Sequence, residues 1–161
     1  MKQQLEATRA IDYKQLKVAS SAFDGNNFIP AKYSCEGQDV NPPLTIENIP
    51  EEAKSLAIIV DDPDARAASW VHWVMWNIPV THHFKENHVP GIQGINDFGS
   101  QKYNSPCLPR GTHHYYFKIY ALNSLLDIPE SSSKLHLETA MSDHIIAFGE
   151  IIGFYTRRHN S

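Results

Sequence analysis

Five apolar residues in succession, Leu56-Ala57-Ile58-Ile59-Val60, end abruptly on Asp61-Asp62-Pro63-Asp64. A run this short and without polar alternation predicts a strand covered on both faces, because a half-exposed strand would show a period of two. The domain must then be layered, with other elements packed over the sheet that holds this strand. The 10 prolines and 8 glycines are spread as punctuation between further short segments, and no internal repeat, low-complexity tract or linker interrupts them.

Other strands follow from local composition. Residues 17–23 mix β-branched, small and aromatic side chains before the Gly25-Asn26-Asn27 turn, and residues 70–78 are rich in aromatic and β-branched types up to Pro79, which has no amide proton for a ladder. Regular alternation in 70–78 would put Trp70, His72, Val74 and Trp76 on one face and Val71, Trp73, Met75 and Asn77 on the other. A fourth strand over 113–122 places His113, Tyr115, Phe117 and Ile119 together, with Lys118 facing away into solvent. Leu137, Met141, Ile145 and Phe148 recur at helical spacing, with Ser131 to Ser133 as N-cap candidates and Gly149 as a stop. Residues 151–155 read as a last short strand before a basic tail at Arg157 and Arg158.

The length of 161 residues suits one domain, with 42% hydrophobic and 20% charged residues pointing to a globular chain. The 14 basic residues are scattered against 18 acidic ones, so no positive stripe exists for nucleic acid, although a few local donors suffice for a single anion. Residues 1–20 intersperse charges with single apolar positions, unlike a secretory signal, and no segment is apolar for long enough to span a bilayer; a cytoplasmic protein without stable membrane insertion is expected. Cys35 and Cys107 are too few for a disulfide scaffold or a four-cysteine zinc site. Free thiols are the expected state in a reducing compartment, and a pair remains open.

The acidic turn after the buried strand has an ordinary structural use, since Asp side chains bond nearby amides and proline fixes its own backbone angle. A histidine at position 72 inside an aromatic strand, and Gly111-Thr112-His113-His114-Tyr115 opening another, add titratable groups that buried surroundings must satisfy. His82, His83 and His88 lie in a polar stretch and read as a solvated loop rather than a metal site. His144 reads as a packed residue on the helix, and the three tryptophans as core.

Four blocks in order resemble the phosphatidylethanolamine-binding protein family, in particular its bacterial and archaeal branch related to the Raf kinase inhibitor proteins. They are Tyr33-Ser34-Cys35-Glu36-Gly37 with Asn41-Pro42-Pro43-Leu44; Asp61-Asp62-Pro63-Asp64-Ala65; Trp70-Val71-His72-Trp73 with Trp76-Asn77-Ile78-Pro79; and Asn96-Asp97-Phe98-Gly99 through Pro106-Cys107 to His113-His114-Tyr115. The resemblance spans about residues 18 to 157 and implies a mainly β, sandwich-like fold with a large antiparallel sheet and a C-terminal helix, as a single domain over 18–161 behind an extension at 1–17. It implies a small surface pocket for phosphate-like anions lined by Asp62, Asp64, His72, His113 and Tyr115, with Ser105 and Pro106 at the rim. Asn104-Ser105-Pro106-Cys107-Leu108-Pro109 stands where the family commonly has Gly-Gly-Pro-Cys-Pro-Pro, and His114 replaces a frequent arginine; both departures bear on ligand preference.

In that pocket His72 and His113 would donate to anion oxygens and Tyr115 would add a hydroxyl. Asp62 would accept from a histidine, while Asp64 would hold the turn or receive an ammonium group. The expected function is a binding protein, without a cofactor, for a phosphorylated small molecule, a phospholipid head group or a phosphorylated residue, with a protein kinase as a partner and a homodimer as a possible assembly. An alternative is a metal-assisted hydrolase holding zinc through Asp62, His72 and His113, against which stands the absence of a nucleophile motif.

Overall fold

The computed structural model describes residues 14–65, 69–107 and 111–156; Arg157 and Arg158, Leu108 and Pro109, and residues 1–13 of the expected extension lie outside them. In chain order the elements are β1 (Lys14–Gln15), β2 (Lys17–Ala19), β3 (Asn27–Phe28), a 3-10 turn (Ala31–Tyr33), β4 (Leu44–Glu47), β5 (Ser55–Asp62), β6 (Trp70–Ile78), β7 (His83–Phe84), β8 (Ile92–Gln93), β9 (Thr112–Leu122), α1 (Lys134–Met141) and β10 (Ile145–Thr156). A seven-stranded sheet has the order β1-β10-β9-β5-β6-β8, with β3 also on β10, and a three-stranded sheet has the order β2-β4-β7. The large sheet is antiparallel through its centre, and β1 and β3 run parallel to β10 at its edge.

The apolar run is β5, central in the large sheet and buried at every residue. Its even-numbered side chains Ile58 and Val60 join Trp73, Met75, Phe117 and Ile119 against Leu44, Ile46 and Phe84 of the small sheet. Its odd-numbered Ala57 and Ile59 join Val74, Trp76 and Leu122 under Leu137 and Met141 of α1. Each fully buried side chain of this size contributes roughly 1.5–3 kcal/mol, so both layers hold the sheet and the apolar run has the two-sided cover it requires. Leu16, within the segment expected to be an extension, is also buried, and its N–H donates to the Phe148 carbonyl at 2.9 Å.

Four expectations are corrected. The helix ends at Met141, and Ile145 and Phe148 belong to β10, whose pairing with β9 outweighs the helical spacing. Gly149 is no helix stop: a Cβ there would collide with the Leu16 backbone, so the glycine admits the crossing chain. The cysteines are paired rather than free, with Cys35 and Cys107 joined across 72 residues. Lys118, expected in solvent, is half-buried and, with Lys134 of α1, donates to the buried Asp61 carboxylate at 3.2 and 2.9 Å.

Candidate functional site

β5 leaves the core at Asp62, because Pro63 offers no proton to continue the ladder. The Asp62 carboxylate is 1% exposed, and isolated burial of that charge would be costly. It is fully engaged: Oδ1 accepts the Asp64 N–H at 2.8 Å and Oδ2 accepts from His113 Nδ1 at 2.6 Å. A carboxylate brings no proton of its own, so Nδ1 carries the hydrogen and the ring is held with Nε2 as its remaining polar atom.

His72 reaches the same place through a defect in β6. Val60 pairs with Trp73 and Asp61 with Val71, so His72 is the extra residue of a β-bulge. Regular alternation fails there: His72 and Trp73 both turn towards the inter-sheet side, whereas Val71, Val74 and Trp76 face the helix. The bulge therefore removes His72 from the face of Val74 and Trp76 and stands its ring edge-on to Tyr115, with centroids 5.2 Å apart. His72 Nδ1 donates to the Asn104 carbonyl at 2.6 Å. Burial holds the ring below the ordinary histidine value, against the raising influence of that bond and of Asp62, so at neutral pH Nε2 is a lone-pair acceptor rather than the donor expected from sequence.

Tyr115, on the same face of β9 as His113, is completely buried, and its hydroxyl has no hydrogen-bond partner among the described residues. Burial, then the neighbouring Asp62, push its pKa far above the ordinary tyrosine value, so it stays an O–H donor throughout the physiological range. An unsatisfied buried hydroxyl costs about 1–3 kcal/mol, which a site built to receive an acceptor recovers when occupied.

The remaining expected residues form the surroundings. Asp64 is turned to His114, accepting from its backbone N–H at 2.8 Å and from Nδ1 at 2.6 Å. Partial burial raises the Asp64 carboxyl, but these donors outweigh it and the net direction is down. Ser105 and Pro106 are buried, the Ser105 hydroxyl is spent on Asp39, and the Pro106 carbonyl accepts the Cys35 N–H at 3.1 Å. The proposed zinc set is not assembled: among the described residues no three His, Cys, Asp or Glu side chains are placed to hold a metal ion.

Sequence reasoning missed the residues that hold this cluster. Asn96, buried, donates to the His72 and Lys102 carbonyls at 3.0 and 2.9 Å and to Asn104 Oδ1 at 2.7 Å, while its own oxygen accepts the Phe98 and Ser100 N–H groups. The Asn96-Asp97-Phe98-Gly99 block was the available signal, but a polar turn motif does not disclose which strand it braces. Trp70, expected in the core, is 40% exposed beside Phe98, which is 47% exposed.

The state of His72 sets a pH dependence. Above the unfolded value of 6.5 both folded and unfolded chains hold a neutral ring and stability is full. As pH falls through 6.5 the unfolded chain takes up a proton that the folded ring resists, so stability declines until the depressed folded value is reached. In urea unfolding across the acidic side of neutrality, His72→Gln is expected to show a shallower decline than wild type; parallel curves would contradict a buried neutral ring.

A family model described as phosphatidylethanolamine-binding protein matches residues 19–156. A UPF0098 protein of Pyrococcus abyssi is 49% identical over 157 residues, covering 90% of this chain and 88% of its own length. The crystal structure of a phosphatidylethanolamine-binding protein homologue from Chlamydia trachomatis superposes with a TM-score of 0.86 at 38% identity, over 90% of this chain and 99% of that one. Escherichia coli YbcL, a member of the mammalian phosphatidylethanolamine-binding protein family, gives 0.81 at 29% identity, over 89% and 99%.

Proposed function

Because the chain belongs to the phosphatidylethanolamine-binding protein family, a family of ligand-binding proteins, we propose that the cluster of Asp62, His72, His113 and Tyr115 is a receptor for a phosphate-like oxyanion. The observation that carries the reading is the Tyr115 hydroxyl, buried and without a partner among the described residues, in a cluster with two histidines whose Nδ1 atoms are already committed. Tyr115 donates its O–H to one ligand oxygen. His113, oriented by Asp62, donates from Nε2 when protonated, and the carboxylate behind it balances the charge.

His72 then has a role different from a third donor. Its neutral Nε2 accepts, and so suits an oxyanion that keeps one hydroxyl, such as hydrogen phosphate or a singly protonated phosphomonoester. A fully deprotonated or fully esterified phosphate presents no such hydrogen. Asp64, drawn to His114, stands outside the donor set and leaves the oxyanion oxygens to Tyr115 and His113.

Calorimetric titration with inorganic phosphate near neutral pH tests the receptor. Wild type is expected to bind, and Tyr115→Phe to bind roughly tenfold or more weakly, since it deletes one hydrogen bond to a charged acceptor and little volume. Equal affinity in the two proteins, or no heat in either, would remove the proposal.

A further inference from the structure

A surface helix normally gathers its apolar side chains into one stripe facing the core. On α1 that stripe is Leu137 and Met141, packed in one layer with Ala57, Ile59 and Trp76. Leu135 lies outside it and is 65% exposed, more than any other large apolar side chain among the described residues. It borders a groove of about 400 Å³ between α1 and residues 128–132, walled also by Ile128, Pro129 and Ala140.

The polar groups of these walls are largely spent. The Ser132 N–H donates to the Pro129 carbonyl at 3.0 Å, the Ser132 carbonyl accepts the Ile95 N–H at 2.9 Å, and the Thr139 hydroxyl donates to the Leu135 carbonyl at 3.0 Å. The rim, by contrast, carries one sign of charge. Apart from His136, the ionisable residues along 123–143 are Asp127, Glu130, Lys134, Glu138 and Asp143. Lys134 is committed to the buried Asp61 at 2.9 Å and stands 4.0 Å from Glu138. Asp127, Glu130 and Asp143 are exposed and have no ion pair among the described residues. An exposed apolar patch with a charged rim marks an interaction site.

We propose that this groove docks a segment of another protein in which an apolar side chain is flanked by lysine or arginine. Charge complementarity decides the occupant: the apolar side chain covers Leu135 and enters the space between Pro129 and Ala140, while its basic neighbours face the unpaired carboxylates of the rim. Anionic lipid and nucleic acid meet the wrong sign of charge here. The groove lies on the helix-covered side of the large sheet, and Tyr115 of the oxyanion cluster lies on the side that faces the small sheet. Partner and anion therefore occupy opposite faces, and the docking surface stands independently of the receptor reading.

Selection of a random displayed-peptide library on the whole wild-type protein, with counter-selection on Leu135→Ser, tests the surface. The enriched peptides are expected to share an apolar residue flanked by lysine or arginine. In fluorescence anisotropy the consensus peptide is expected to bind Leu135→Ser about tenfold more weakly than wild type, the worth of covering one leucine side chain. Asp127→Asn with Glu130→Gln is expected to weaken it several-fold and to flatten its salt dependence. All three positions are exposed, so these losses do not come from unfolding. No enrichment on wild type over Leu135→Ser, or a consensus without basic residues, would overturn the proposal. Enrichment that appears only once residues 1–13 are removed would assign the groove to this chain's own first segment. A dimer in sedimentation velocity that Leu135→Ser dissociates would assign it to a second copy, and either result overturns the proposal as well.

Discussion

Reduction of the Cys35–Cys107 bond, or replacement of both cysteines by serine, is expected to lower the unfolding free energy by roughly 4 kcal/mol. The bond closes a loop of 72 residues in the unfolded chain, and opening a loop of that length releases about this much conformational entropy at room temperature. The folded side changes less, because the same two segments are also joined by the Cys35 N–H to Pro106 carbonyl bond, by Ser105 to Asp39, and by the Tyr103 hydroxyl to the Tyr33 carbonyl at 3.4 Å. Gly37 completes that turn, where a Cβ would strike the Ala31 carbonyl. Urea denaturation with and without a dithiol reductant, with free thiols counted to verify reduction, is the measurement. Coincident midpoints with two thiols titrating would show that the cross-link does not hold the fold. Cys107 is exposed, so a reductant reaches it without unfolding. Because Asn104 anchors His72 three residues before Cys107, oxyanion affinity is expected to weaken on reduction in the same samples.

His113→Ala is expected to abolish oxyanion binding, a loss of a hundredfold or more, and to destabilise the protein by about 3–5 kcal/mol, the usual consequence of leaving a buried carboxylate without its partner. The cost falls on Asp62, whose carboxylate stays almost wholly out of water with only the Asp64 N–H still bonded. The double variant His113→Ala with Asp62→Asn is therefore expected to regain much of the stability and none of the binding. This separates ligand recognition from folding. Were the single and double variants equally unstable by thermal denaturation, the dyad would not be the buried hydrogen-bonded pair that its 2.6 Å contact describes. Oxyanion binding surviving in either variant would move the receptor elsewhere.

The acidic turn at Asp62 and the histidines at positions 72 and 113 drew attention in the sequence by themselves, and the family resemblance grouped them with Tyr115; the structure brings the four side chains into one cluster. Their roles were not recognisable. Sequence gives a histidine no tautomer, and the Asn104 carbonyl that turns His72 from donor to acceptor is a backbone atom with no residue signature. The exposure of Trp70 was hidden for a related reason: a tryptophan beside Val71 and Trp73 reads as core until the end of its strand is located in space.

The order of residues along the chain by itself determined the central strand, the extents of β5, β6 and β9 to within a few positions, and the turn at Pro63, since these rest on burial patterns and on a missing amide proton that neighbouring residues alone specify. Tertiary structure decided what depends on partners distant in sequence. The bulge at His72 exists because β5 and β6 pair in one register and not another, and β10 takes Ile145 and Phe148 from a helix because β9 supplies a ladder. Likewise Cys35 finds Cys107 only once two remote turns are folded together. Local free energies for alternative states of one segment differ by only about 1 kcal/mol per residue, so contacts made by remote segments settle the choice.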